Sequence, residues 1–197
     1  MFTLSTKIQK EPAAFHHGNL AEALVDAAEE LVEREGLAAV SLREAARRAG
    51  VSHAAPYRHF SSRDALLAAV ASRGFISLRD AFENAASMPG SFLLAVGQTY
   101  VRFALANPGL FRLMFGSGLD RRLYPEMAAA ADSAFGVLLR ATTERGSNAP
   151  EDAALGAWAL AHGLAQLAAE HQFSDEQQED AKSGKLLERI SKVYGLQ

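Results

Sequence analysis

The sequence predicts an all-α fold of about nine helices. Alanine and leucine dominate while β-branched residues are sparse, a bias toward helix formers. Apolar residues recur at i, i+3, i+4 and i+7 in one segment after another, and glycine, proline, serine and asparagine mark the breaks between them. Hydrophobic residues make up 49% of the chain, enough for a real core and too many for wholesale disorder. The 197 residues suit one sizeable domain or two small ones that share an interface.

Residues 1–17 carry no helical period and contain Pro12, and they read as a mobile arm. The first helix starts near Gly18-Asn19, with Asn19 as its cap, and Leu20, Ala23, Leu24, Ala27, Ala28, Leu31 and Val32 share one face. Gly36 ends it in a left-handed conformation. Glu29, Glu30 and Glu33 fall on the exposed face and read as solvated charge. Ser41-x-x-Glu44 predicts a capping box for the second helix, whose inner face is Leu42, Ala45, Ala46 and Ala49. Gly50 breaks that helix and Val51 anchors the turn. Ser52 can cap a third helix with Pro56 near its first turn. Ser61-Ser62 caps a fourth beginning near Asp64, with Leu66, Leu67, Val70 and Ile76 inward.

Further along, Met88-Pro89-Gly90 is a break, Phe92 to Ala106 is helical, and Asn107-Pro108-Gly109 is a stop before the apolar segment Leu110 to Phe115. Gly116 to Asp120 reads as a loop, and Tyr124-Pro125 starts a helix to about Arg145. A second loop, Gly146 to Pro150, leads into a long helix ending near Phe173. Ser174 to Gly184 is acidic, polar and expected to be mobile, and Leu186 to Tyr194 is a last amphipathic segment.

Charge is distributed unevenly. Between Ala38 and Arg63, Arg43, Arg47, Arg48, Arg58 and Arg63 face only Glu44, a balance of +4 in a chain whose total is −3, which leaves −7 elsewhere. A basic island on an acidic chain suits a phosphate-binding surface, although a solvated arginine-rich face has the same composition. Two short helices and a tight turn across Ser41–Phe60 form a helix-turn-helix pattern, in which the second helix enters the major groove of double-stranded DNA. His53, Ala54, Ala55 and Arg58 can then reach bases, with the alanines against thymine methyls and Arg58 on either a guanine or a phosphate. Tyr57, His59 and Arg63 suit phosphates, as do Ser41, Arg43 and Ser52 near helix starts, while Phe60 reads as core.

In the remaining two thirds, Trp158, His162 and Gln166 share one face of the long helix, and Leu155, Ala159, Gly163 and Leu167 line an adjacent face of small and apolar residues. One face is expected to line an interior pocket. The other, with Leu186, Leu187, Ile190 and Val193, is expected to build a four-helix homodimer interface from helices 150–173 and 186–194. Tyr100, Phe103, Phe111, Met114, Phe115, Phe135, Trp158 and His162 are the candidate contacts for a small-molecule effector; the same aromatic spacing also describes a plain core.

Several function classes lose support. Without cysteine the chain has no disulfide, thiolate metal site or cysteine nucleophile, and His16-His17 lacks further ligands at suitable spacing, so neither metal nor cofactor is expected. No phosphate-binding glycine loop, nucleophile elbow or zinc-ligand helix appears, so the chain does not read as an enzyme. Nor does any apolar run resemble a signal peptide or a membrane span, and a cytoplasmic protein is expected.

The blocks His17-Gly18-Asn19-Leu20, Gly36-Leu37, Ser41-Leu42-Arg43-Glu44, Ala49-Gly50-Val51-Ser52 and Tyr57-Arg58-His59-Phe60 together resemble the N-terminal domain of TetR-type (tetracycline-repressor-like) transcriptional regulators over about Gly18 to Leu67. Trp158-Ala-Leu-Ala-His162-Gly163-Leu164, with Asn107-Pro108-Gly109-Leu110-Phe111, resembles the Trp-His-Gly subgroup of their C-terminal domains. Ser62-Arg63-Asp64 and Pro56 depart from the residues usual at those positions. The resemblance implies an arm at 1–17, a DNA-binding domain at 18–63 and a ligand-binding and dimerisation domain at 64–197. It also implies a homodimer on a near-palindromic operator, with phosphate contacts at Ser41, Tyr57, His59 and Arg63 and an effector pocket between the C-terminal helices. The alternatives are a regulator of the same fold without an effector and a helical carrier of a hydrophobic ligand, which would have no use for the arginine island.

Overall fold

A computed structural model of the chain describes residues 20–86 and 91–193. The 1–17 arm with His16-His17, the Asn19 cap, the Met88-Pro89-Gly90 break and Tyr194 lie outside the described residues. Nine α-helices occur among those described: α1 (Leu20–Glu35), α2 (Leu42–Arg48), α3 (Arg63–Ala86), α4 (Phe92–Ala106), α5 (Pro108–Gly116), α6 (Pro125–Glu144), α7 (Pro150–Ala169), α8 (Asp175–Ser183) and α9 (Lys185–Val193). Three single 3₁₀ turns, Leu37–Ala39, Ala55–Arg58 and Arg121–Leu123, link them. No helix among the described residues is long and apolar enough to cross a membrane.

The small N-terminal unit forms because α1 and α2 each bury one stripe. Leu24, Ala28 and Leu31 of α1 and Ala45 and Ala46 of α2 are completely buried, and full burial of a leucine side chain contributes about 1.5–3 kcal/mol. Ser41 Oγ accepts from the Glu44 N–H at 3.1 Å and caps α2. The expected reciprocal half of the capping box is replaced, since the Glu44 carboxylate is held by Arg47 at 2.6 and 2.9 Å and by Arg48 at 3.3 Å. At the other end of α2, Gly50 takes φ +70° and the Val51 and Gly50 N–H groups return to the Ala46 and Arg47 carbonyls, a Schellman closure that sets the tight turn.

α3 is the axis of the molecule. Its 24 residues span about 36 Å. Its first turn, capped by Ser62 Oγ on the Ala65 N–H at 3.0 Å, packs beneath the N-terminal unit, and the rest packs on α4, α5 and most extensively on α6. Ile76, expected inside, is 41% exposed because it falls on the outer stripe of this helix. α4 and α7 pack together, and α8 and α9 close the far side of α4.

Two further expectations are corrected. α7 stops at Ala169 rather than near Phe173, because His171 adopts φ +54° and the Gln172 and His171 N–H groups close back on the Leu167 and Ala168 carbonyls. The acidic segment 174–184 is helical as α8, with a complete Ser174–Gln177 capping box, the Gln178 amide on the Ala168 carbonyl at 2.9 Å, and Gly184 at φ +87° ending it. Its polarity hid one inward residue, Ala181, and the local capping chemistry that orders it.

The acidic face of α1 leaves Glu30 exposed as expected, but its carboxylates are also engaged in contacts. Glu29 pairs with Arg73 and Glu30 with Arg34 and Arg48. Glu33 reaches across to α5, where its two carboxylate oxygens accept from the Gly109 N–H at 3.1 Å and the Leu110 N–H at 2.7 Å. A carboxylate there takes two otherwise unpaired N–H groups and sits at the positive end of the α5 dipole. Contact is so close that a Cβ on Gly109 would lie 2.6 Å from the Val32 carbonyl oxygen. Gly109→Ala is therefore expected to destabilise the protein by about 1–3 kcal/mol, read as a lower denaturation midpoint; an unchanged midpoint would show that α1 and α5 are not held this tightly.

Candidate nucleic-acid interface and interior cavity

Nine of the ten candidate DNA contacts are solvent-exposed: Ser41, Arg43, Ser52, His53, Ala54, Tyr57, Arg58, His59 and Arg63; Ala55 is half-buried. The structure brings most of them onto one surface formed by α2, the turn after it and the 3₁₀ turn Ala55–Arg58. Tyr57 is 58% exposed, an unusual position for a large aromatic ring without a partner. Phe60 and Pro56 point the other way into the core, so the three outward residues Tyr57, Arg58 and His59 are bracketed by two inward ones.

The expected third helix is a single 3₁₀ turn. Pro56 has no N–H and restricts Ala55 before it, so the chain closes through the Ala55 N–H on the Ser52 carbonyl and the His59 and Phe60 N–H groups on the Pro56 carbonyl. Ala54, not Ser52, occupies the cap position, with no side-chain cap bond. Ser52 is left as an exposed hydroxyl beside the turn.

The arginine island is less basic in space than along the chain. Arg47 binds Glu44, and its hydrogen bonds, with those of Arg48, draw the Glu44 carboxyl down to about 2. Arg48 lies against Glu30, Glu35 and Glu44 and ties α2 to α1. Arg63 donates to the Val40 carbonyl at 2.9 Å and the Leu37 carbonyl at 2.6 Å, with Asp64 at 3.4 Å. Its guanidinium thus anchors the start of α3 to the turn between α1 and α2. Glu30 and Glu35 lie outside the sequence window that gave +4, and folding returns them to the arginines. Arg43, Arg47, Arg58 and Arg63 are all exposed, and of these Arg43 and Arg58 enter no ion pair among the described residues.

A cavity of about 250 Å³ lies between α3, α4, α6 and α7. Of the candidate ligand contacts, Tyr100, Phe115, Phe135 and Trp158 line it. Phe103, Phe111, Met114 and His162 do not: Phe111 and Met114 are core, packed where α5 meets α3 and α4, Phe103 is partly buried against the core, and His162 lies behind Tyr100. Phe75, Leu78 and Phe82 of α3 complete one wall. Their i, i+3, i+7 spacing was the signal for them, had that helix been followed past Ile76. Arg121 and Asp132, also among the lining residues, are paired at 2.6 Å, and Arg121 donates in addition to the Ala128 carbonyl at 3.1 Å.

Tyr100 is the polar centre of this region. Its hydroxyl accepts from Trp158 Nε1 at 3.3 Å and shares a 2.7 Å hydrogen bond with His162 Nδ1, whose direction the imidazole tautomer sets. Burial pushes the Tyr100 hydroxyl well above its ordinary range and His162 below its own, so both stay neutral near pH 7. The aromatic rings pack at varied angles, with Tyr100 stacked on Phe82 and Phe135 edge-on to Trp158.

Along α7, Leu155, Ala159, Gly163 and Leu167 are all exposed, a continuous small and apolar stripe. The companion stripe expected on α9 is different: Leu186 and Leu187 are buried in the chain's own core, Leu187 against Gly97 of α4, Ile190 is half-buried, and only Val193 is fully presented, at 80% exposure. Once α8 folds it carries α9 onto α4, which consumes the apolar face of α9. Gln166, expected beside Trp158 and His162, is exposed and bonded to Glu170.

Comparison with known proteins agrees with this architecture. Residues 24–70 match the family model described as bacterial regulatory proteins, tetR family, and residues 93–190 match the tetracyclin repressor-like C-terminal domain. The chain is 28% identical over 160 residues to the HTH-type transcriptional regulator YobS of Bacillus subtilis (strain 168), covering 78% of this chain and 81% of that protein. A solved structure of a protein with unknown function from Rhodococcus sp. RHA1 is 32% identical, with a TM-score of 0.76 over 93% of this chain and 97% of that one. A tetR-family regulatory protein from Rhodococcus RHA1, 23% identical over 86% of this chain and 95% of its own, has the same fold with a TM-score of 0.63. The helix-turn-helix, the helical C-terminal unit and these matches together place the chain in the TetR family of DNA-binding transcriptional regulators.

Proposed function

We propose that this regulator is a dimeric repressor that leaves its operator when a small apolar molecule fills the cavity between α3, α4, α6 and α7. The observation that carries the reading is the double role of α3. Its first residue, Arg63, grips the Leu37 and Val40 carbonyls beneath the DNA-facing surface, while Phe75, Leu78 and Phe82 further along wall the cavity. A ligand that moves the cavity wall moves the platform of the 3₁₀ turn. Glu33 of α1, bonded to the start of α5, supplies a second joint between α1 and the helix that carries Phe115 to the cavity.

On DNA, His53, Ala54, Ala55 and Arg58 face the bases, and Ser41, Arg43, Ser52, Tyr57 and His59 hold phosphates. Arg63, with its guanidinium on two backbone carbonyls, serves chiefly to position the surface. A single 3₁₀ turn reads few base pairs, so selectivity leans on the spacing of two such units, about 34–36 Å for successive major grooves on one face, and on DNA shape. The α7 stripe of Leu155, Ala159, Gly163 and Leu167 supports pairing of two protomers, with α9 contributing mainly Val193. The free dimer samples the groove-matched spacing, and the ligand favours another, so operator affinity falls by the differential affinity of the ligand for the two forms.

Three outcomes follow. Tyr57→Phe combined with Arg58→Ala is expected to weaken operator binding by about 2–4 kcal/mol, measured by fluorescence anisotropy on a site recovered by selection from random DNA; retained specific binding would remove this surface from DNA recognition. Arg43→Ala should lower the magnitude of the salt-dependence slope by about one per protomer, whereas Arg47→Ala, whose charge is already satisfied by Glu44, should leave it nearly unchanged; equal effects would contradict the assignment. Leu167→Glu should convert the dimer to monomer in light scattering, because it buries a charge in the paired stripe, and a dimer unaffected by it would place the interface elsewhere.

A further inference from the structure

Resting on the reading of the cavity as the effector site, we infer that the effector is an uncharged aromatic compound of one to two fused rings, which the lining favours over charged amphiphiles and long alkyl chains. Three independent features lead there.

Size comes first. An apolar cavity of about 150 Å³ is enough for benzene, and the volume here is about 250 Å³. That leaves room for a second fused ring. Shape comes second. Phe75, Phe82, Tyr100, Phe115, Phe135 and Trp158 supply the rings of the wall, and neighbouring pairs such as Phe135 with Trp158 and Phe75 with Phe115 meet edge-on. A flat aromatic guest can present its face to some of these rings and its edge to others, the two arrangements aromatic pairs favour. An alkyl chain gains no such contact.

Charge comes third. The formal charges on the lining are Arg121 and Asp132, which neutralise each other at 2.6 Å, with a second Arg121 bond to the Ala128 carbonyl. Both side chains are solvent-exposed, at 49% and 76%, so the pair marks the rim of the cavity and the interior lining carries no formal charge. Inside, the Tyr100 hydroxyl, Trp158 Nε1 and His162 Nδ1 satisfy one another. No group in the wall is left asking for an ionic partner, so a charged guest would enter unpaired.

The test uses calorimetry on the full-length protein with probes matched in shape or polarity: 1-naphthol, 2-naphthoate, 1-naphthylmethylamine and 1-decanol. The expected result is one 1-naphthol per protomer, bound at least about tenfold more tightly than the other three. Ala131→Phe, which fills the cavity from α6, should weaken 1-naphthol by a similar factor. Should that variant fail to fold, Ala161→Val from α7 serves the same purpose. If 2-naphthoate, the amine or the alcohol binds as tightly as 1-naphthol, the ligand class is wrong while the effector reading stands. If 1-naphthol binds the filled variants unchanged, it sits elsewhere and the inference fails. If none of the four binds, the effector reading fails with it.

Discussion

The Glu33 carboxylate at the N-terminus of α5 is the contact on which the rest of the arrangement depends. It comes from the middle of the DNA-facing unit and is spent on a helix of the other unit, taking the Gly109 and Leu110 N–H groups at once. Pro108 removes a further donor that would need a partner, and Gly109 lets the two backbones approach within the space a Cβ would occupy. Such a joint cannot slide gradually. It is made or broken, and with the Arg63 grip on Leu37 and Val40 it fixes the N-terminal unit at two points separated along α1 and α3. In the proposed mechanism these two points carry a displacement of Phe75, Phe82 or Phe115 to a surface that contains none of them.

Electrostatics divides the arginines by task. Arg47, Arg48 and Arg63 are consumed in holding α1, α2 and the start of α3 together. Arg43 and Arg58 stay exposed around Tyr57. Most of the island is therefore framework for a small outward-facing set, and the acidic side of α1 is its counterpart rather than idle surface charge. The same economy governs the cavity, where Arg121 and Asp132 cancel and Tyr100, Trp158 and His162 satisfy one another, leaving an interior defined by ring packing.

Much of the fold was legible because local chemistry and tertiary role agree. Gly36, Gly50 and Gly146 end helices at positive φ, Ser62 caps one, and the α1 stripe from Leu24 to Val32 is the buried one. The misreadings have one cause: the deciding partner is distant in sequence. Nothing near Glu33 announces Gly109 and Leu110, 76 and 77 residues away. The window around the arginines omits Glu30 and Glu35, α8 looks too polar to fold until Gln178 finds Ala168, and Leu186 and Leu187 look like interface until Gly97 accepts Leu187. Pro56 is the local exception. It was visible, and its effect on the DNA-facing turn, a 3₁₀ closure in place of an α-helix, follows from the missing N–H.

The proposed coupling of the cavity to the DNA-facing surface, in which the Glu33 joint takes part, is open to one direct measurement. Operator affinity is determined with and without saturating 1-naphthol for the natural protein and for Glu33→Ala. The variant is expected still to bind both operator and ligand, with the ligand-induced loss of operator affinity, typically about 1–3 kcal/mol in coupled systems, reduced because only the route through α3 and Arg63 remains. An undiminished loss in a folded Glu33→Ala protein would contradict the coupling as proposed.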